Sequence, residues 1–316
     1  MIILIPERVY DDFAPAAQAV APYINCLPYG DDEPAPPGLA DADAIYWWFT
    51  VKHLDRLLAG GRRVRWLQTG SAGVDRLLPI LRDYPNLQVT DSGPAFEVTI
   101  PEFVLAWILS VARRLPIFAA QQQAHLWRPV DQDELWGRTV GIVGIGPIGR
   151  GVATRARAFG MRTIGLRRRP ETSTAVDETV SGTDGLAYLL RESDYVVIAT
   201  ALTDETHAMI GAAELGSMKS TAWIINIARG AIIDEVALIV ALRANTIAGA
   251  CLDVFQREPL PPENPLWDMP NVHIAPHNSS DSSGTRDRQK QVFLNNLRRF
   301  VNNDPLHNIV DVSRGY

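Results

Sequence analysis

The sequence has few cysteines and no excess of positive charge. Only Cys26 and Cys251 occur among 316 residues, both in apolar surroundings and without the spacing of a metal or redox site. The formal net charge is −6, whereas a nucleic-acid partner would favour a basic face. These features predict a cytoplasmic protein with buried, reduced cysteines, no metal site and no nucleic-acid partner.

Long apolar runs are also scarce. The apolar start Met1–Ile5 stops at Pro6, which is too short for a signal peptide, and it lacks a basic flank. No stretch stands out as long enough to cross a bilayer, so the sequence predicts no membrane partner. We interpret the first residues as a buried strand.

What the sequence does have is a regular alternation of short apolar runs with helical or turn segments, which predicts an α/β fold with parallel sheets. The length, 316 residues, favours two domains. The predicted strands are Ile2–Ile5, Ala44–Phe49, Trp66–Thr69, Gln88–Thr90, Thr163–Leu166, Tyr195–Thr200, Trp223–Ile227, Ala248–Val254 and Val272–Ala275. The predicted helices are Asp12–Ala21, Leu54–Leu58, Pro101–Leu115, Arg150–Phe159 and Arg286–Asn302, and the proline-rich stretch Asp31–Gly38 is predicted to be a loop.

A G-x-G-x-x-G motif lies between an apolar run and a helical stretch near mid-chain. Gly144 permits the tight turn, Gly146 lets a pyrophosphate approach the backbone, and Gly149 lets the helix pack close to the strand. With Pro147 and Ile148 they form a predicted dinucleotide site, because phosphate oxygens then meet unpaired N–H groups at a helix start. A purely structural glycine turn is the alternative.

Charged side chains follow three predicted strands at the point where each strand ends. Arg229 follows one strand, Asp253 and Glu258 follow the next, and His277 follows a third. In an open α/β sheet the ligand crevice lies outside the carboxyl ends of the strands, so these side chains are predicted to converge. The alternatives are a surface salt bridge, a turn cap and a packed histidine.

Four motifs together resemble the D-2-hydroxyacid dehydrogenase family over nearly the whole chain. They are the glycine fingerprint, Ala228-Arg229-Gly230, the segment from Asp253 to Glu258-Pro259-Leu260, and Pro276-His277. The ending, Pro305–Asp311 followed by Arg314-Gly315-Tyr316, looks like the glyoxylate/hydroxypyruvate reductase A branch.

The resemblance implies two Rossmann-like doubly wound parallel-sheet domains, the cofactor domain being inserted in the substrate domain. The expected substrate domain comprises residues 1–101 and 285–316, and the dinucleotide-binding domain comprises residues 102–284. It also implies a homodimer built around the cofactor domain. Phe118–Trp136 resembles the family's dimer arm, although aromatic core packing would give the same composition.

Residue chemistry fits reduction of a 2-keto acid. Histidine titrates near neutral pH, so His277 is predicted to donate the proton, with Glu258 orienting its ring and favouring the imidazolium. Arg229 offers a planar fork matched to a carboxylate and a carbonyl oxygen. The resemblance implies that Asp253 accepts a hydrogen bond from the nicotinamide carboxamide, and Ala228 is assigned with it to the cofactor site.

Two further segments are candidates for substrate binding. Ser71, Ala72, Gly73 and Val74 resemble the family loop whose N–H groups hold the substrate carboxylate, and a simple tight turn is the alternative. In the reductase A branch a tryptophan near this position lines the pocket, so Trp47 or Trp48 is a candidate. Core packing is the other interpretation for each tryptophan.

The expected ribose-binding acid is missing after the second cofactor-domain strand. Arg167, Arg168 and Arg169 stand there instead, and the next carboxylate is Glu171. Because arginines would hold a 2′-phosphate, NADP is predicted, with NAD as an alternative cofactor. A solvated basic turn is the other interpretation.

The sequence therefore predicts NADPH-dependent reduction of small 2-keto acids, glyoxylate or hydroxypyruvate, to D-2-hydroxy acids. One alternative is an NAD(H)-sensing co-repressor without activity, against which Arg229, Glu258 and His277 argue. Another is a formate dehydrogenase-like enzyme, but that branch carries glutamine where this chain has Glu258.

Overall fold

The structure is a computed structural model that describes residues 1–32, 35–169 and 172–316. Glu33 and Pro34 of the predicted loop, and Pro170 and Glu171 after the three arginines, lie outside the described residues. The chain divides into two compact units. Unit 1 consists of Met1–Phe96 and Ser282–Tyr316, and unit 2 consists of Glu97–Asp281.

Strands and helices alternate along most of the chain. The strands are β1 (Ile2–Pro6), β2 (Asn25–Tyr29), β3 (Ala44–Trp47), β4 (Trp66–Thr69), β5 (Gln88–Thr90), β6 (Thr139–Val143), β7 (Arg162–Arg167), β8 (Glu178–Ser181), β9 (Tyr195–Ile198), β10 (Trp223–Asn226), β11 (Gly249–Leu252) and β12 (Val272–Ile274). The helices are α1 (Glu7–Gln18), α2 (Leu54–Gly60), α3 (Leu78–Leu81), α4 (Thr99–Ala112), α5 (Leu115–Gln123), α6 (Pro147–Ala158), α7 (Gly182–Glu192), α8 (Ala212–Ser217), α9 (Glu235–Arg243) and α10 (Thr285–Asn302). Short 3₁₀ helices cover Leu39–Asp41, Gly93–Phe96, Gly230–Ile232 and Pro265–Asp268.

Unit 1 is built on a five-stranded parallel sheet in the order β2-β1-β3-β4-β5. Its central strands β1, β3 and β4 are buried over almost their whole length, as expected when helices cover both faces. The C-terminal helix α10 belongs to this unit, and its Phe293 packs against Phe13, Tyr46 and Trp66. After α10, Val310 N–H donates to the carbonyl of Val89 at 2.8 Å, so the chain end is tied to β5.

Two strands of unit 1 differ from the prediction by more than one residue. The predicted strand Ala44–Phe49 is too long, because the chain turns after Trp47: Val51 N–H donates to the carbonyl of Trp48 at 2.9 Å, and Phe49 is 63% exposed. The edge strand β2 was not predicted at all. It contains Pro28, which an edge position tolerates because one side of an edge strand needs no ladder hydrogen bonds.

Unit 2 is built on a seven-stranded parallel sheet in the order β12-β11-β10-β9-β6-β7-β8. The strand order reverses at β6, with β7 on one side and β9 on the other, and such a switch point is where open α/β sheets bind ligands. The carboxyl ends of β6, β10, β11 and β12 carry the glycine motif and the predicted charged residues. The sheet therefore brings those segments to one edge.

The chain passes from unit 1 to unit 2 and back again, and both boundaries lie a few residues earlier than expected. The first segment of unit 1 ends at Phe96 instead of residue 101. The start of α4 belongs to unit 2 because Gly151 of α6 packs directly against the Glu97 carbonyl and Pro101. Unit 1 resumes at Ser282 instead of residue 285. The Ser282 hydroxyl lies 2.9 Å from that of Thr285, the first residue of α10.

The expectation that no apolar stretch reaches membrane-spanning length was wrong. Gly93–Ala112 has the length and composition to cross a bilayer, and 56% of its most apolar window is buried inside the protein. Its helix α4 packs against α6 and directs Glu102 towards Arg155, at 3.4 Å. The core helix of a globular unit passes the same test of length and composition, so this segment is weak evidence for a membrane.

Candidate active site

The glycine motif forms the turn between β6 and α6. Gly144 adopts a φ of 102°, a conformation that favours glycine, and a Cβ atom there would lie 2.6 Å from the Ala199 carbonyl oxygen. Gly144 N–H donates to the carbonyl of Leu166 at 3.1 Å, which ties the turn to β7. A Cβ atom on Gly149 would overlap the Gly144 carbonyl. Both glycines are therefore required by the packing of the protein itself.

Gly146 is different, because a Cβ atom on it would meet nothing within 4 Å. It is the N-cap of α6, a helix of 12 residues that starts with Pro147. The amides of Ile148 and Gly149 in its first turn have no acceptor within the helix. An open approach to a helix start with N–H donors is what a dinucleotide pyrophosphate needs, so the turn fits that group.

The three arginines begin at the end of β7, beside the glycine turn. Arg167 is the last residue of this strand and is half-buried, and it directly follows Leu166, which accepts from Gly144. Arg168 and Arg169 are exposed, and Nη1 of Arg168 lies 3.8 Å from Oε2 of Glu205. The arginines are thus placed where the ribose-binding acid stands in NAD sites.

The turn that carries Arg229 is shaped by the buried side chain of Asn226 at the end of β10. Its Nδ2 donates to the Arg229 carbonyl at 2.9 Å, and its Oδ1 accepts from Ala228 N–H at 3.1 Å. A Cβ atom on Gly230 would overlap the backbone of Phe255. The arginine turn consequently lies directly against the segment that leads to Glu258.

His277 and Glu258 form a hydrogen-bonded pair. Nδ1 of His277 lies 2.8 Å from Oε2 of Glu258, and Oε1 of the same carboxylate accepts from Phe255 N–H at 3.0 Å. The carboxylate is therefore held by the backbone while it orients the ring. The His277 side chain is 42% exposed, so the imidazole is accessible from solvent. A histidine held in this way suits proton transfer.

Asp253 is fully buried and organises the turn that carries the histidine. Its carboxylate accepts from Asn278 N–H at 2.8 Å, from Ser279 N–H at 3.2 Å and from the Ser279 hydroxyl at 2.5 Å. Its carbonyl accepts from His277 N–H at 2.8 Å. Sequence analysis missed Asn226 and Ser279, although Asn226 could have been noticed as a polar residue that closes an apolar strand.

The predicted substrate loop lies in unit 1, at the carboxyl end of β4. Its residues Ser71, Ala72 and Gly73 are half-buried and Val74 is buried. The carbonyl of Ser71 accepts from the Thr69 hydroxyl at 3.0 Å and from Ser92 N–H at 2.9 Å. The Ser71 hydroxyl donates to the Gly73 carbonyl at 2.9 Å. The loop is therefore held by its own side chains and by the neighbouring strand end.

Both candidate tryptophans are buried at the end of the adjacent strand β3. Trp47 is 7% exposed and Trp48 is 8% exposed. Among the described residues, neither indole N–H nor the hydroxyl of Tyr46 has a hydrogen-bond partner. The Trp48 ring lies against Gly70, where an added Cβ atom would be 2.8 Å from Cε3. Trp48 thus contacts the start of the loop with its ring, whereas Trp47 contacts it through its carbonyl, which accepts from Gly70 N–H at 2.8 Å.

The predicted residues fall into two groups. Unit 2 brings together the glycine turn, Ala228 and Arg229, and the Asp253, Glu258 and His277 segments at one edge of its sheet. Unit 1 places Trp47, Trp48 and residues 71–74 at the ends of two adjacent strands. A glycine turn at the switch point of a parallel sheet, with a histidine–carboxylate pair at the same edge, defines a dinucleotide-dependent oxidoreductase.

Comparison with known proteins agrees with that class. Residues 105–279 match the family model described as D-isomer specific 2-hydroxyacid dehydrogenase, NAD binding domain. The chain is 35% identical over 275 residues to the glyoxylate reductase of Thermococcus gammatolerans, which covers 84% of this chain and 81% of the relative. The chain belongs to the D-isomer specific 2-hydroxyacid dehydrogenase family, and the predicted resemblance is confirmed.

Two solved structures are similar over the full length of the chain. One is a D-isomer specific 2-hydroxyacid dehydrogenase from Xanthobacter autotrophicus in complex with NADPH and MES, with a TM-score of 0.86, 31% identity, and coverage of 100% of this chain and 99% of that one. The other is an NADPH-dependent glyoxylate/hydroxypyruvate reductase from Sinorhizobium meliloti in complex with NADP and sulfate, with a TM-score of 0.82, 27% identity, and the same coverage. The predicted α/β fold with two parallel sheets is confirmed.

Proposed function

We propose that the protein uses NADPH to reduce small 2-keto acids, of the size of glyoxylate and hydroxypyruvate, to D-2-hydroxy acids. The observation that carries this proposal is the His277–Glu258 pair, 2.8 Å apart, at the same sheet edge as Arg229 and the glycine turn. It is supported by the similarity to glyoxylate reductases and to a structure that contains NADP.

The proton that the new hydroxyl needs is assigned to His277. Glu258 holds the ring by Nδ1, and the ring's other nitrogen is then the one that delivers the proton to the ketone oxygen. Bound NADPH would supply the hydride. After transfer, the neutral imidazole regains a proton from solvent, to which the side chain is exposed.

Arg229 is assigned to the substrate. Its guanidinium is always charged and presents a planar fork, so it can hold the carboxylate and polarise the ketone oxygen at the same time. The Asn226 side chain fixes the backbone of this turn by two hydrogen bonds, which limits the movement of the arginine during the reaction.

The cofactor is assigned to the glycine turn, with Gly146, Pro147 and Ile148 at the pyrophosphate and Ala228 and Asp253 near the nicotinamide. Arg167, Arg168 and Arg169 would hold the 2′-phosphate of NADP, while NAD would leave them without that ligand. The buried carboxylate of Asp253 already fixes Asn278 and Ser279, and its backbone carbonyl accepts from His277 N–H, so its role includes the placement of the histidine.

The substrate carboxylate is assigned to the loop Ser71–Val74 of unit 1, which we propose as the substrate domain, with unit 2 as the cofactor domain. Trp48 is the better candidate for the pocket wall because its ring contacts the start of that loop. Trp47 is buried beside it and contacts Gly70 through its backbone carbonyl, which accepts from Gly70 N–H at 2.8 Å.

A homodimer is the assembly that we propose. Helix α5 buries none of its nine residues in this chain, which the structure describes there without gaps. Beyond it Leu126 is 60% exposed, Trp127 is 100% exposed and Trp136 is 76% exposed. Such a density of exposed apolar side chains marks an interaction surface, and the segment coincides with the predicted dimer arm Phe118–Trp136.

The direct test is NADPH oxidation with a panel that runs from glyoxylate and hydroxypyruvate to phenylpyruvate, followed by chiral analysis of the product. We expect the two small keto acids to be reduced to D-products and phenylpyruvate to be a poor substrate. A parallel assay with formate and NADP separates the formate dehydrogenase alternative. Tight NADPH binding without turnover of any keto acid would contradict the proposal and favour a sensing role.

A further inference from the structure

A buried glutamine of α10 reaches the start of the loop Ser71–Val74. Nε2 of Gln289 donates to the carbonyl of Gly70 at 2.6 Å, and the Gln289 side chain is only 4% exposed. Gly70 is itself buried, and it directly precedes the loop. The uncharged side-chain amide of Gln289 therefore donates a short hydrogen bond to the backbone at the point where β4 ends and the loop begins.

The helix that presents Gln289 is firmly packed in unit 1. Gln289, Phe293, Asn296, Leu297 and Phe300 are buried at helical spacing on one face. The Phe293 ring lies 5.2 Å from that of Tyr46 and 5.7 Å from that of Trp66, centroid to centroid. Because this face cannot shift without disturbing the aromatic cluster, the amide of Gln289 is held in a fixed position relative to the sheet.

The same helix reaches the end of β4 at a second point. Asn296 Nδ2 donates to Oε1 of Gln68 at 3.2 Å and to the carbonyl of His307 at 3.1 Å. Gln68 in turn donates from Nε2 to the carbonyl of Thr69 at 3.0 Å and to the Ser92 hydroxyl at 3.2 Å. Consecutive residues before the loop are thus tied, through buried amides, to α10.

Gly70 is confined on its other side by aromatic groups. A Cβ atom there would lie 2.8 Å from Cε3 of Trp48 and 3.2 Å from the hydroxyl oxygen of Tyr46. Its backbone therefore packs against these rings while its carbonyl accepts from Gln289. These contacts, together with the hydrogen bond that Gly70 N–H donates to the Trp47 carbonyl at 2.8 Å, determine the direction in which the chain enters the loop.

We propose that Gln289 is a positioning residue for the substrate carboxylate, acting through Gly70 on the N–H groups of the loop Ser71–Val74. This inference rests on the proposed function of that loop. Without the donor, the Gly70 carbonyl would be buried and unpaired, and the loop would shift to satisfy it. Interactions that hold substrate and transition state equally would weaken, which raises KM without changing kcat.

The test compares Gln289→Met with Gln291→Met, which makes the same chemical change at an exposed position of the same helix. We expect Gln289→Met to raise KM for glyoxylate about tenfold, with kcat within about twofold and the Kd of NADPH unchanged. Gln289→Glu should raise KM where its carboxyl is ionised and restore it as the pH falls, because only the protonated acid can donate to the Gly70 carbonyl. Gln291→Met should match the wild type in all three constants.

Hydrogen–deuterium exchange gives a readout that does not depend on turnover. In Gln289→Met we expect faster amide exchange in peptides covering residues 70–76, with unchanged protection of residues 293–300 in α10. A wild-type KM together with wild-type exchange of the loop would overturn the positioning role. If the wild type reduces no 2-keto acid, the proposed function fails, while the exchange measurement still decides whether Gln289 holds the loop.

Discussion

The hydroxyl of Ser279 donates a 2.5 Å hydrogen bond to the buried carboxylate of Asp253. The same carboxylate accepts from two successive backbone amides, and the Asp253 carbonyl accepts from His277 N–H. His277 itself adopts a φ of 53°, in the left-handed region, within this hydrogen-bonded turn. The position of the histidine is therefore set by an aspartate on the neighbouring strand end.

Replacing Asp253 by leucine should both destabilise the protein and slow turnover. Buried donors of Ser279 would lose their acceptor, which costs about 2–4 kcal/mol in the free energy of unfolding. Asp253→Asn is the matched control, because an amide oxygen can still accept from the backbone. Urea unfolding and kcat measured together check this, and a leucine variant as stable and active as the asparagine variant would contradict the role of the carboxylate.

His277→Ala should lower kcat by about 10²–10⁴-fold and leave the Kd of NADPH nearly unchanged, because general acid catalysis is lost while the glycine turn is intact. His207→Ala, at an exposed position of unit 2, serves as the control and should retain wild-type kcat. Steady-state kinetics and fluorescence titration with NADPH separate the two effects. A His277→Ala enzyme with more than half the wild-type kcat would refute the assignment.

The glycine motif yields a prediction that separates binding from folding. Gly146→Ala should keep the wild-type Tm but weaken NADPH binding, because the new methyl group points into the open space assigned to the pyrophosphate. Gly149→Ala should instead lower Tm, since its methyl group would overlap the Gly144 carbonyl. Gly216→Ala, also in open space but distant from the motif in sequence, should change neither quantity. Equal NADPH affinity in Gly146→Ala and the wild type would place the pyrophosphate elsewhere.

Arg167→Asp should shift cofactor preference from NADPH towards NADH. Two charge-assisted contacts to a 2′-phosphate are worth on the order of a hundredfold in kcat/KM, and the preference should decrease at high salt. The control is Arg191→Asp, which makes the same charge reversal at an exposed position of α7. The measurement is kcat/KM with each cofactor at two salt concentrations. A wild type that uses NADH as well as NADPH would show that the arginines do not select the cofactor.

Asp91 gives a prediction about the pH dependence of stability. Burial raises the pKa of Asp91 to about 6, partly offset by the hydrogen bond that its carboxylate accepts from Gly93 N–H at 2.6 Å. Because the folded state binds this proton more tightly than the unfolded state, its stabilising effect is complete below about pH 4 and is lost as the pH rises through about 6.

Asp91→Asn should therefore be more stable than the wild type at about pH 8, by on the order of 2 kcal/mol, and nearly equal to it at about pH 4. Asp304→Asn, at an exposed position, should show no such crossover. Urea unfolding across this pH range measures both variants. A constant difference between Asp91→Asn and the wild type at all pH values would exclude the proposed proton uptake.

The sequence predicted strands most accurately where a buried strand also has an apolar sequence. The interior strands that begin at Ile2 and Trp223 were predicted to within one residue, because buried parallel strands are short apolar runs between turn signals. The edge strands β2 and β8 were missed for the converse reason. Their residues NCLPY and ETVS are mixed or polar, since an edge strand is covered less completely and depends on its neighbour for its structure.

The sequence patterns did not predict helix ends or long-range hydrogen bonds. The predicted helix Pro101–Leu115 runs past the end of α4 at Ala112 to the first residue of α5, because Arg114 adopts a φ of 54° and interrupts the helical path. The bond from Gln289 to Gly70 joins positions that are 219 residues apart, and nothing in the local pattern of either segment indicates it. Such contacts depend on how the helices pack, and periodicity does not encode that.

The order of the two units along the chain has a consequence for synthesis on the ribosome. Unit 2 is one continuous segment, whereas unit 1 needs both ends of the chain. The glycine turn can therefore form while the last residues are still being translated. The Gly70 carbonyl, by contrast, receives its donor from Gln289 only when α10 has emerged, and β5 is joined by Val310 last of all. A chain released before residue 282 would hold a complete cofactor turn but lack the helix that positions its substrate loop.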